Sequence, residues 1–180
     1  MIIARQKKKE NIVEYLIYMW QVEDLIRACH LKMDEIESHV ISQYDQPEDM
    51  KREIRRWYRE LIDMMRIEGV AEKGHVRINK NTVAELADLH VRLLKSPQET
   101  LYGSLYYKAL PAIVQLRSRS GGEETGEIET CCTAIYGYLV LKMQKKEISA
   151  ETMDGIKQIS SLLAFLAARF HEENTLPASC

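Results

Sequence analysis

The stretch Asn11-Ile-Val-Glu-Tyr-Leu-Ile-Tyr-Met-Trp-Gln-Val-Glu-Asp-Leu-Ile-Arg-Ala-Cys-His-Leu-Lys-Met-Asp-Glu-Ile-Glu-Ser-His-Val-Ile-Ser-Gln43 decides the fold. It holds no proline or glycine, and its apolar residues fall at Ile12, Tyr15, Met19, Val22, Ile26, Cys29, Met33, Ile36 and Val40. That is a 3-4 alternation, the period of a helix whose seam packs against other helices. One unbroken helix of this length would span roughly 50 Å. Residues 12–20 are apolar nearly all round, so they are expected to be surrounded by other helices or to lie in a subunit contact. Ile12, Leu16, Met19 and Trp20 are the interface candidates.

Outward from this segment the helical pattern continues. Asp45-Gln-Pro47, followed by Glu48 and Asp49, suits a helix start, and Gly69 suits its end. That second helix carries Met50, Ile54, Trp57, Leu61, Met64 and Met65 on one arc. Residues 69–80 read as a loop or brief extended segment. Thr82-x-x-Glu85 reads as a capping box opening a third helix, and Ser96-Pro-Gln-Glu99 as a proline-started fourth helix running to about residue 117. Pro111 inside it predicts a kink or a break. Residues 118–126, with three glycines, read as a flexible loop. A fifth helix follows over about 127–146, and Ser149 caps a sixth that ends near residue 174. A basic tail over 1–10 and a C-terminal tail over 175–180 complete the chain. The expectation is an all-α, single-domain bundle of five to six helices with a long N-terminal helix.

Composition agrees. The 180 residues hold 46% hydrophobic and 29% charged side chains, the balance of a globular domain rather than a disordered chain. Only 8 Gly and 4 Pro argue against an all-β sandwich, which needs frequent turns. A net charge of −2 gives no global field for nucleic acid or an anionic membrane. The longest uncharged stretches, 130–141 and 158–168, are shorter than the roughly 20 residues of a membrane span. No signal-peptide pattern follows Met1, so a cytoplasmic address without membrane contact is expected. Cys29, Cys131, Cys132 and Cys180 lack zinc or redox spacing and are expected as reduced thiols.

The candidate sites are local. Arg52, Arg55, Arg56 and Arg59 share one arc of the second helix and could meet phosphates. Glu53, Glu60 and Asp63 stand beside or among them, so nucleic-acid binding is the weaker reading and a solvated face the stronger. His30 with Asp34, and Glu35 with His39, have i,i+4 spacing but do not complete a ligand set, so no metal and no cofactor is expected. There is no P-loop, nucleophile elbow, dinucleotide-binding glycine pattern or HExxH. Nine Tyr against 2 Phe is unusual. A ligand pocket between the first, fourth and fifth helices could use Glu14 with Tyr15, Tyr18, Tyr102, Tyr106 and Tyr136. The competing reading places these tyrosines at the boundary of core and water, with Glu14 facing out.

Arg5-Gln-Lys-Lys-Lys-Glu-Asn-Ile-Val-Glu-Tyr-Leu-Ile-Tyr-Met-Trp-Gln-Val-Glu-Asp-Leu-Ile-Arg27, with Gly74-His-Val-Arg-Ile-Asn-Lys-Asn81 and Ala84-Glu-Leu-Ala-Asp-Leu-His90, resembles a family of bacterial proteins of about this length known as a domain of unknown function. The resemblance covers essentially the whole chain. It implies a bacterial cytosolic protein and a largely helical domain, and it brings no catalytic or binding residues. The leading expectation is a non-enzymatic helical protein that acts through protein contacts as a homodimer. The alternatives are the tyrosine pocket, binding or enzymatic, and nucleic-acid binding through the arginine arc.

Overall fold

The computed structural model describes residues 2–119 and 125–175. Among them are eight α-helices and no strand: α1 Ile2–Glu10, α2 Ile12–Ala28, α3 Met33–His39, α4 Glu48–Ile67, α5 Arg77–Lys95, α6 Thr100–Arg119, α7 Glu127–Met143 and α8 Ala150–Thr175, with a 3-10 turn at Ile41–Gln43. The all-α class holds, but eight helices replace the five or six expected. Among the described residues no helix is long and apolar enough to cross a membrane.

Two of the extra helices come from the N-terminal region. The expected basic tail is helical, because Lys and Gln are good helix formers, Ala4 buries against the core and Gln6 bonds Glu10 one turn on. Asn11 then separates α1 from α2: its N–H reaches Lys7, while its side chain accepts from Val13 and Glu14. The expected long helix stops at Ala28. His30 and Leu31 both take left-handed backbone angles (φ 53° and 56°), and the Leu31 N–H bonds back to Ile26. Its seam is kept only in part beyond the turn: Cys29 and Ile36 are buried, Met33 and Val40 are half-buried, and Ile41, outside the expected seam, is buried.

Helix starts differ where local signals misled. α5 begins at Arg77, not Thr82, whose hydroxyl instead bonds Ile78 within the helix. Val76 offers no side-chain cap, and the orphan N–H groups of Val76 and Arg77 go to the remote carboxylates Glu23 and Glu68. The Ser96-Pro97 segment forms a turn, and α6 begins at Thr100. Pro111 sits within α6 on its exposed side without dividing it. Ser118 and Arg119 belong to α6, while residues 120–124 of the expected loop lie outside the described residues. The expected tail beyond Thr175, including Cys180, does so too. α7 ends at Met143, where Lys145 turns left-handed (φ 54°). Ser149 caps α8 as expected, its Oγ accepting from Thr152.

α2 lies at the centre, in contact with α1, α5, α7 and α8, and buries residues on every side from Ile12 to Ile26. α6 runs along α8, where Gly155 lets the backbones approach: a Cβ there would sit 3.1 Å from that of Ala112.

Candidate functional site

On the buried seam of α2, one turn past Trp20, lies a charged residue. Glu23 is fully buried, and its carboxylate accepts three bonds: from His75 Nδ1 at 2.5 Å, from the Val76 N–H at 3.0 Å and from Asn79 Nδ2 at 2.9 Å. A buried carboxylate survives only when its lone pairs are met in this way. Facing a carboxylate, His75 Nδ1 carries its hydrogen and donates it to Glu23.

The 68–76 connection brings these donors to α2. Gly69 and Gly74 adopt left-handed angles (φ 70° and 86°), which glycine allows without steric cost. Arg27 holds the turn, donating from Nη2 to the carbonyls of Gly74 and Val70 and from Nη1 to Asp24. The His75 ring stacks on Trp20 with centroids 4.3 Å apart and planes 14° from parallel. Tyr136 from α7 packs edge-on to Trp20 and donates its hydroxyl to Asp24. Burial, with that bond second, raises the Tyr136 hydroxyl above its ordinary range.

Beside this cluster is a cavity of about 270 Å³ lined by Trp20, His75, Asn79, Lys80, Val83 and Glu129. Two buried polar atoms of its lining residues have no partner: Trp20 Nε1 and Asn79 Oδ1. An unmet buried group costs about 1–3 kcal/mol, and with Asn79 fully buried and Trp20 2% exposed both atoms are enclosed by the fold behind the cavity surface.

The tyrosines named from sequence do not meet in one pocket. Tyr102 and Tyr106 belong to a second network. His90 Nδ1 lies 2.6 Å from the Tyr102 hydroxyl, its Nε2 is 3.4 Å from Glu127, and Tyr106 donates to Glu127 at 3.2 Å. Burial lowers His90, with Glu127 acting in the opposite sense. This network ties α5, α6 and α7 together. Tyr18 lies near Tyr44, and burial with that neighbour pushes its hydroxyl up to about 12. Tyr15 is buried, with Lys8 over its ring. Glu14, the expected pocket acid, points to solvent and pairs with Lys7 at 3.2 Å.

The interface candidates Ile12, Leu16, Met19 and Trp20 are at most 3% exposed within this one chain, so they serve the intrachain core. The arginine arc is partly neutralised. Arg55 makes a two-pronged bond to Glu37 at 2.8 Å and another to Glu48, and Arg56 lies 3.8 Å from Glu60, while Arg52 and Arg59 stay exposed. His30 pairs with Glu35 rather than Asp34, and no group of three or more His, Cys, Asp or Glu suited to a metal occurs among the described residues.

Glu23 carried a signal in the sequence, since it continues the spacing Leu16, Trp20, Glu23 along the buried face. The groups it organises are more than fifty residues away, where no local pattern marks them. Comparison with known proteins finds no match among curated proteins or solved structures. A family model does match, over residues 1–176, and the chain belongs to that family, described as Domain of unknown function (DUF4924).

Proposed function

We propose that this protein binds a small polar molecule in the cavity walled by Trp20, His75 and Asn79. The observation that carries the reading is the cavity itself, lined by the stacked Trp20 and His75 with Lys80 and Glu129, on residues held in place by the satisfied Glu23 cluster. A rigid supporting shell behind a concave wall with a few polar side chains is the arrangement a binding site needs. The lining supplies hydrogen bonds and charge but no hydroxyl or thiol, which favours binding over acyl transfer. Native mass spectrometry of the protein as isolated tests it. A small-molecule mass retained by the wild type and lost from Asn79→Ala supports the reading. A bare chain, together with no thermal shift from any member of a metabolite library, refutes it.

Self-association is the second reading, moved from α2 to α7. Residues 134–141 of α7 are all half-exposed although only small or apolar apart from two tyrosines, and Met143 is exposed. A groove of about 460 Å³ alongside is lined by Ala134, Tyr138, Leu141 and Ile156 among others, with Glu129 its one charged residue. Apolar surface of this kind suits a second copy of the chain. Light scattering at micromolar concentration tests this: a homodimer lost on Leu141→Glu supports it, and a strict monomer rejects it.

A further inference from the structure

The half-exposed face of α7 also specifies how a second copy would sit on it, an inference that rests on the self-association reading above. The groove beside α7 runs along Glu129, Thr133, Ala134, Gly137, Tyr138 and Leu141, with α6 and α8 forming its far wall. Lys142 continues this face one turn beyond Tyr138 and is exposed. The face therefore begins on an acid and ends on a base, with only small, apolar or hydroxyl-bearing residues between. Glu129 is half-buried, and neither its side chain nor that of Lys142 has a hydrogen-bond or ion-pair partner among the described residues.

We infer that two copies pair through α7, antiparallel about a two-fold axis that crosses the helix midway between Ala134 and Gly137, so that Glu129 of each copy meets Lys142 of the other. A closed two-fold contact presents the same patch twice, so a residue i that faces j is itself faced by j. Setting Glu129 against Lys142 then fixes the remaining pairs. Thr133 lies opposite Tyr138, an aromatic ring against a short side chain, and Ala134 lies opposite Gly137 beside the axis, where the helices come nearest. Gly137 fits that place, because a Cβ there meets nothing within its own chain, and the chain's own packing does not require so poor a helix former at mid-helix. The antiparallel sense also sets the N-terminal end of one helix beside the C-terminal end of the other, which suits their dipoles. Parallel pairing fails on charge, since it puts Glu129 against Glu129 and Lys142 against Lys142. A uniformly acidic or basic partner matches one end of the face and meets a like charge at the other.

Sedimentation of the full chain over a concentration series tests the pairing, with far-UV circular dichroism as the check on folding. The wild type is expected to dimerise. Glu129→Lys and Lys142→Glu should each weaken the dimer by about tenfold or more, because each turns two attractive pairs into two repulsive ones. The double variant restores opposite charges across the axis and should return to within about threefold of wild-type affinity. Gly137→Leu starts its side chain in open space within its own chain and favours the helix, so it should keep the fold while weakening the dimer by about tenfold or more. Wild-type affinity in Lys142→Glu, or a folded double variant as weak as the single ones, overturns the antiparallel pairing and leaves self-association standing. Where circular dichroism shows Glu129→Lys to be misfolded, Lys142→Glu and Gly137→Leu decide alone, and wild-type affinity in either overturns the pairing. A wild type that stays monomeric at every concentration overturns both the pairing and the self-association reading.

Discussion

Removing the Glu23 carboxylate should be the most costly single change in the polar interior, and its size can be worked from the contacts. Glu23→Ala leaves the Val76 N–H and Asn79 Nδ2 without an acceptor in a dry environment, since both residues are fully buried. Each costs about 1–3 kcal/mol. His75 loses its partner too, but its side chain is 25% exposed and water can meet part of the loss. The total is about 3–5 kcal/mol, the range seen when one partner of a buried charged pair is deleted, and a large share of the roughly 5–15 kcal/mol that holds a domain folded. Glu23→Gln should behave differently. Its carbonyl can still accept from Val76 and Asn79, and its amide then faces His75 Nδ1, forcing that nitrogen to become the acceptor. The expected cost is only about 1 kcal/mol, with His75 Nδ1 turned from donor to acceptor. Urea unfolding followed by far-UV circular dichroism gives the two stabilities, and nitrogen chemical shifts of the ring give the tautomer. Equal losses for the two variants, or a loss under about 1 kcal/mol for Glu23→Ala, would refute the account of Glu23 as the acceptor that organises this cluster.

Gly155→Val should lose about 1–3 kcal/mol in thermal or urea unfolding, because even its Cβ meets the Ala112 Cβ at 3.1 Å, and Ala112→Gly should recover part of that loss in the double variant. Lys145→Gly should gain about 0.5–1 kcal/mol, since glycine relieves the left-handed angle at the exposed end of α7; a loss in urea unfolding would contradict this. Burial pushes the Cys131 thiol up to about 12, and it raises Cys132 as well. The unfolded thiol releases its proton near 9.0 and the folded one only near 12, so unfolding releases protons between these values and stability falls as pH rises through that window. Urea midpoints measured from pH 8 to 11 should therefore decline above about pH 9, and iodoacetamide should label Cys131 and Cys132 only after denaturation.

Where one helix face met one apolar surface, the sequence was readable. The Ser149 cap, the start of α4 after Pro47 and the enclosure of residues 12–20 all follow from local spacing and are found. The breaks that local spacing hid have physical causes. The turn at His30 and Leu31 uses neither glycine nor proline, and apolar residues recur at the same spacing in the sequence on both sides of it, so periodicity alone cannot locate it. α5 starts five residues before its apparent capping box because its first N–H groups are met by Glu23 and Glu68, which no pattern around Arg77 reveals. Local pattern likewise does not separate Glu14 from Glu23. Both glutamates interrupt apolar α2, but Glu14 lies on the side where Lys7 of α1 reaches it, and Glu23 lies on the side that α5 covers.

Tryptophan at position 20 buries a donor that is unmet among the described residues. A phenylalanine there could still stack on His75 and fill most of the same space, and it would bury no N–H. Trp20→Phe thus trades lost apolar volume, a cost of about 1–3 kcal/mol, against relief of one unmet donor worth a similar amount. In the absence of ligand the variant should lie within about 1 kcal/mol of the wild type. A large loss on Trp20→Phe without any added molecule would mean that the indole N–H already has a partner in the isolated protein, and would shift the role of this residue from recognition to folding.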